Sequence, residues 1–230
     1  DGIRDYKVTG VQTCALPISG VWFSPGETFA EIGRAPRVLL PLILLMAIGC
    51  AGGYLMINRI GLNNFFKNQF EQAVQSGRMS QEDADKQFEA VTNGPAATVT
   101  KISFPLVGLI QYLIMASILV GVAKLITMFI GGENEFKPLF SVTVHALLAT
   151  GLLSFILIVT ILYLKPPDEI DVNNLIPSNL GALLTLALGK DGLPKFVMAL
   201  MRWVDIFGLW LLTLLSIGYA AVTKIGRAHV

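Results

Sequence analysis

Residues 139–164 read LFSVTVHALLATGLLSFILIVTILYL, from Leu139 to Leu164, and their only ionisable side chain is His145. An α-helix rises about 1.5 Å per residue, so about 20 mostly apolar residues cross a bilayer core about 30 Å thick. A helix of this length in water would show a polar residue every third or fourth position along one stripe. None recurs here, and the stretch reads as a membrane span. Three more follow the same rule. Val38 to Ile57 carries no charge, Pro105 to Ile130 carries only Lys124, and Trp203 to Thr223 carries only Asp205 near its start. Composition agrees: 53% of the chain is hydrophobic and 14% is charged, against about 25% charged in soluble domains. The predicted fold is an all-α polytopic membrane helical bundle with four clear spans, and the lipid bilayer is its first partner.

A fifth apolar stretch, Leu180 to Leu188, is too short to cross alone. Pro177 precedes it and Gly189-Lys190-Asp191-Gly192 follows, with a second short piece from Phe196 to Met201 after Pro194. Residues 180–201 therefore read as a broken or re-entrant fifth element, tolerated only where protein or water covers its backbone. Residues 58–101 hold five basic and five acidic side chains. Within them, Phe66, Phe70 and Val74 at i, i+4 and i+8 mark an amphipathic helix. Ser80 followed by Asp83 marks the start of a second, and Asn93-Gly94-Pro95 its end. An extramembrane helical hairpin over about 63–92 is expected, covering the bundle or docking a partner.

The two ends read differently. Thr13 to Ile18 can be encoded by ACG TGT GCT CTT CCG ATC; the opposite strand, shifted by one base, translates as Ile-Gly-Arg-Ala-His-Val, the last six residues, Ile225 to Val230. Residues 1–19 and 224–230 are therefore expected to be translated sequencing adapter, leaving a single membrane domain over 20–223 and native ends outside the sequence given. Setting the two segments aside removes four basic and two acidic residues, which moves the formal net charge from +1 to −1. It also leaves Cys50 and His145 as the only cysteine and histidine, so no internal disulfide is predicted. No clustered basic surface remains for nucleic acid.

Lys and Arg near span ends set orientation. Arg34, Arg37, Lys124 and Lys137 fall on one side, and Arg59, Lys101 and Lys165 on the other, spread over longer loops. The prediction is an N-terminus in the cytoplasm, with residues 58–101 outside.

No catalytic, cofactor-binding or metal-ligating set is assigned: the chain has no GxSxG, HExxH or phosphate loop. Ionisable groups at membrane depth are the functional candidates, because each costs about 2.5–3.5 kcal/mol on insertion scales. These are Lys124, His145 and Asp205. The tight turn at 131–138 places Lys124 and His145 on the same side of the membrane, where they could face one another; Asp205, beside Arg202 and Trp203, reads as an interfacial anchor. Ser117-xxx-Gly121, Ala146-xxx-Thr150 and Ser216-xxx-Ala220 are candidate close contacts between helices, and Cys50, among Gly49, Ala51, Gly52 and Gly53, reads as a small interface residue.

The order of features resembles one family. Trp22-Phe23-Ser24-Pro25-Gly26-Glu27-Thr28-Phe29 resembles its P-x-x-T-F entry, with Pro25 and Phe29 matched. Gly131-Gly132-Glu133-Asn134-Glu135-Phe136 resembles its G-G-x-x-x-F junction, with Gly131, Gly132 and Phe136 matched. The ending with Asp205 and Trp210 resembles its last span. Together, over about residues 21–223, these are similar to prokaryotic members of the Yip (Ypt/Rab-interacting protein) integral membrane family. The resemblance implies a compact helical membrane domain, usually of five spans, without enzymatic activity. Eukaryotic relatives bind small prenylated GTPases, but no residue here matches a GTPase contact. The leading reading is a non-enzymatic scaffold or partner-binding module, engaging a protein partner or a second copy in the bacterial cytoplasmic membrane. The alternative is a small transporter component, which would gather Lys124, His145, Gln111 or Asn173 around a wet central void.

Overall fold

The computed structural model describes residues 17–131, 135–172, 174–189 and 194–223. The segments read as adapter lie outside them except for Pro17, Ile18 and Ser19. The chain enters through α1 (Ile18–Phe23) and α2 (Pro25–Arg34). It continues through α3 (Leu39–Ile60), α4 (Leu62–Gln75), α5 (Gln81–Thr92), α6 (Gly94–Ile130) and α7 (Phe136–Leu164). A 3-10 turn (Pro167–Glu169) leads to α8 (Leu180–Leu188), α9 (Lys195–Trp203) and α10 (Ile206–Thr223). Helices α3, α6, α7 and α10 are long and apolar enough to cross a bilayer. Among the described residues the only β-type pairing is an isolated antiparallel bridge between Asn179 and Asp205. The fold is an all-α polytopic helical bundle.

Helix α6 begins at Gly94, well before the span expected at Pro105. Pro95 takes the first turn, where a missing N–H costs nothing, so the residues that end α5 also start α6. Pro105 then lies inside the helix, and the carbonyl four residues earlier, on Lys101, loses its usual partner at a level where Lys101 is exposed. At 37 residues α6 is about 55 Å long, so its first turns stand beyond a core of about 30 Å. There they carry the hairpin. The Phe65 ring meets Phe104 of α6 edge-on at 4.8 Å, and Phe70 meets Phe88 across the hairpin at 6.5 Å. Ser80 starts α5: its Oγ accepts from the Asp83 N–H at 3.1 Å and donates to the Asp83 carboxylate at 2.7 Å.

The core is built around the first half of α7. Residues 139–150 are buried on every side, enclosed by α1, α2, α3, α6 and α10. Glycines set the closest approaches. A methyl group on Gly108 of α6 would lie 2.4 Å from the carbonyl carbon and oxygen of Gly49 on α3, and one on Gly53 would lie 3.0 Å from Cα of Pro105. The working small-residue pair is thus Gly49-xxx-Gly53, in the run around Cys50. Of the three pairs expected from spacing, only Ala146-xxx-Thr150 is buried; Ser117, Gly121, Ser216 and Ala220 are exposed. Ile110, Ile114, Ile118 and Leu125 point outward from α6, the side chains a bilayer would cover.

Helices α1 and α2 form a short hairpin wedged into the bundle. Gly20 lies against Thr28 across it, Gly33 lies against Val222 near the end of α10, and Trp22, near the hairpin turn, reaches Ala149 deep in α7. Sequence alone places this segment simply before the first span.

Candidate functional site

The buried half of α7 carries four polar side chains, Ser141, Thr143, His145 and Thr150, of which the first two reach a neighbouring element and the last two bond within the helix. Ser141 Oγ donates to the carbonyl of Arg37 at 2.9 Å, which ties the start of α3 to α7. Thr143 Oγ1 donates to Leu139 O at 2.8 Å and lies 2.7 Å from the Tyr219 hydroxyl of α10. His145 is 2% exposed, with Nδ1 2.7 Å from the carbonyl of Ser141. Thr150 Oγ1 donates to Ala146 O at 3.0 Å and to Leu147 O at 3.2 Å, while Trp22 Nε1 donates to Ala149 O at 3.1 Å. Buried polar groups cost little when their hydrogen bonds are met; Ser141, Thr143 and Thr150 meet theirs inside the bundle, and His145 meets that of Nδ1.

Of the sequence-predicted candidates, Asp205 lies apart from Lys124 and His145. Lys124 is half-buried on α6, on the same side of the bundle as the start of α7. The described hydrogen bond of His145 goes to its own helix. Asp205 belongs to the other end. Gly218, thirteen residues further along α10 and so about 20 Å away, packs against Val142 near the start of α7.

Asp205 makes a knot there. Its Oδ2 accepts from the N–H groups of Phe207 and Gly208, both at 3.1 Å, capping α10. Its Oδ1 accepts from Ser178 Oγ. Leu180 N–H donates to Val204 O at 2.9 Å and Ile206 N–H to Ser178 O at 3.4 Å, forming the isolated bridge. Asn179, within the bridge, caps α8 by accepting from Ala182 N–H at 2.8 Å and donates to Asn174 Oδ1 at 2.8 Å. The last span therefore starts at Ile206 and not at Trp203, which ends α9. Helices α8 and α9 lie between the two sides of this bridge and pack against each other. Sequence alone reads Asp205 as an interfacial anchor; an Asp ahead of an apolar run is also the signal of a helix cap, whereas nothing in the sequence marks Ser178 as its partner.

A cleft of about 660 Å³ opens where α3 ends, α4 begins and α6 emerges. It is lined by Tyr54, Asn58, Asn63, Asn64, Thr92 and Lys101 among others, and includes none of Lys124, His145 or Gln111.

The Yip1 domain family matches residues 19–229. The chain belongs to the Yip family. No curated protein and no solved structure matches it. In this Yip protein the residues that carried the resemblance occupy structural posts. Pro25 opens α2, and Phe29, fully buried, packs on Gly218 of α10. Gly131 ends α6 in the left-handed conformation at φ 76°, which glycine adopts without a Cβ clash. Phe136 opens α7 and stacks on Phe140 at 5.3 Å. Trp210 is half-buried against the cluster of Val21, Phe29 and Ile32. Gly132 lies outside the described residues, as does Asn173.

Proposed function

We propose that this Yip protein is a non-enzymatic scaffold or partner-binding module of the cell envelope, placed in a bacterial cytoplasmic membrane with its N-terminus in the cytoplasm. One observation carries the reading: the polar side chains in the buried half of α7 spend their hydrogen bonds on the bundle itself. A conduction path needs polar groups turned to water along a continuous route. Instead the α3–α6 contact is glycine against glycine backbone, a close approach of the kind that holds helices together in lipid. Gln111 is exposed on α6 while His145 is buried in α7, which speaks against those two lining one void.

The test is thiol accessibility. With Cys14 and Cys50 replaced by alanine, Ala146→Cys and, separately, Ala90→Cys, at an exposed position of α5, are treated with a membrane-impermeant maleimide in intact cells and in inverted vesicles. The proposal expects Ala90→Cys to label from outside and Ala146→Cys from neither side. Labelling of Ala146→Cys from either face would reveal a water path and remove the scaffold reading; labelling of Ala90→Cys only in inverted vesicles would reverse the orientation.

A further inference from the structure

Gln111 holds a polar group at a depth where lipid cannot bond to it. Gly108 of α6 packs on Gly49, the eleventh of the 22 residues of α3, so that contact marks the middle of the span. Gln111 stands three residues further along α6, about 4.5 Å from that level. Half of a hydrocarbon core is about 15 Å thick, which leaves the headgroups about 10 Å away, beyond the reach of the side chain. The residue is exposed, and its amide has no hydrogen-bond partner among the described residues. An amide carries two donors and an acceptor, and hydrocarbon satisfies none of them.

Other exposed polar side chains on the spans settle theirs locally. Ser117 donates to Leu113 O at 2.8 Å, Thr160 to Ile156 O at 2.8 Å and Thr213 to Leu209 O at 2.9 Å. Each hydroxyl folds back onto the carbonyl four residues earlier in its own helix. Gln111 makes no such bond. The face around it is open as well. Val107, Ile114 and Ile118, at i−4, i+3 and i+7 from Gln111, are each more than half exposed. Those intervals trace a stripe along which a second helix can lie. The opposite side of α6 is already used, by Gly108 on α3 and by Ala116 and Val120 in the core with α7.

Chemistry and depth together select the occupant. Copies of one chain insert with one orientation, so a two-fold axis along the membrane normal sets each residue against its own counterpart at equal depth. An amide is self-complementary: the carbonyl of one accepts from the NH2 of the other, in both directions. A charged partner group at that level would carry its own, larger cost of burial in lipid. We propose that the outer face of α6 is the contact with a second copy of this chain, joined at mid-membrane by a reciprocal pair of Gln111 amides. The pairing rests on the partner-binding reading and gives it a partner.

The full chain in liposomes, with Cys14 and Cys50 replaced by alanine, tests this in two ways. Oxidation of Ile118→Cys should give a covalent dimer, whereas Ile156→Cys, exposed on α7, should not. Energy transfer between copies labelled at Ala90→Cys then measures association as the protein is diluted with lipid. Gln111→Leu should weaken association at least fivefold, the scale of a polar pair between membrane helices, and Gln111→Asn, which keeps the amide, should recover most of it. Equal crosslinking of Ile118→Cys and Ile156→Cys would reduce the contact to random collision and overturn the proposal. Unchanged association in Gln111→Leu, or an Asn variant no better than the Leu one, would overturn the amide pair. A chain that stays monomeric while Ala146→Cys stays unlabelled would sink the pairing and leave the scaffold reading standing.

Discussion

The seam between α3 and α6 predicts the largest effect from the smallest change. In Gly108→Ala one methyl group enters 2.4 Å from the Gly49 carbonyl carbon and oxygen and 3.0 Å from the Cys50 nitrogen. Ordinary contact begins near 3.4 Å, so the helices must part by about 1 Å, and the obstructing atoms are backbone that cannot rotate aside. Parting by that distance also loosens Gly53 against Pro105, one turn away. Dispersion contacts lose much of their depth over such a gap, and lipid offers no hydrophobic force in exchange. Overpacking of this kind costs about 1–3 kcal/mol. Gly121→Ala is the internal control. It lies on the same helix with nothing within 4 Å of the new methyl, so it shares the gain in helix propensity without the clash. Unfolding by sodium dodecyl sulfate in maltoside micelles, followed by tryptophan fluorescence, compares the two. If they unfold within about 0.5 kcal/mol of each other, the close-packed seam is refuted.

Two further outcomes are expected. Asp205→Ala removes the cap of α10 and its bond to Ser178, and should cost about 1–2 kcal/mol with faster hydrogen exchange at Phe207 and Gly208; unchanged exchange there would contradict the cap. Thr143→Val and Tyr219→Phe, taken singly and together, should show a coupling of about 0.6 kcal/mol in the same unfolding assay, the scale of interhelical hydrogen bonds in membranes; strict additivity would mean that the pair does not interact.

The spans were legible because insertion depends on local hydropathy, which a single helix carries within its own residues. Rotational phase is another matter. Nothing along the chain says that Ser117 and Gly121 face out while Gly49 and Gly53 face in, because both pairs have the same spacing and the partner helix decides. The early start of α6 was hidden because Pro105 reads as the first residue of a span and Lys101 as the last of a linker, although a proline is tolerated inside a helix where the carbonyl it frees lies at an exposed level. Links such as Trp22 to Ala149 and Ser141 to Arg37 join residues more than 100 positions apart, beyond any local pattern. The intramembrane candidates show the same division. Chemistry singled out His145 as costly to bury, whereas the carbonyl of Ser141 that receives it one turn earlier emerged only from the fold. Conversely, the motif residues were found by their order, and the fold gives them posts at helix starts, a helix stop and one glycine contact.

The bridge between Asn179 and Asp205 also fixes where this architecture can vary. With Ser178 and Leu180 bonded to Ile206 and Val204, everything from 181 to 203 departs and lands on the same footing. Residues added to or trimmed from that excursion leave the point where α10 sets out, and so the register of its contacts with Phe29 and Val142, where it was. Length changes among relatives should therefore accumulate there, while the first half of α7, hemmed in on all sides, should admit none.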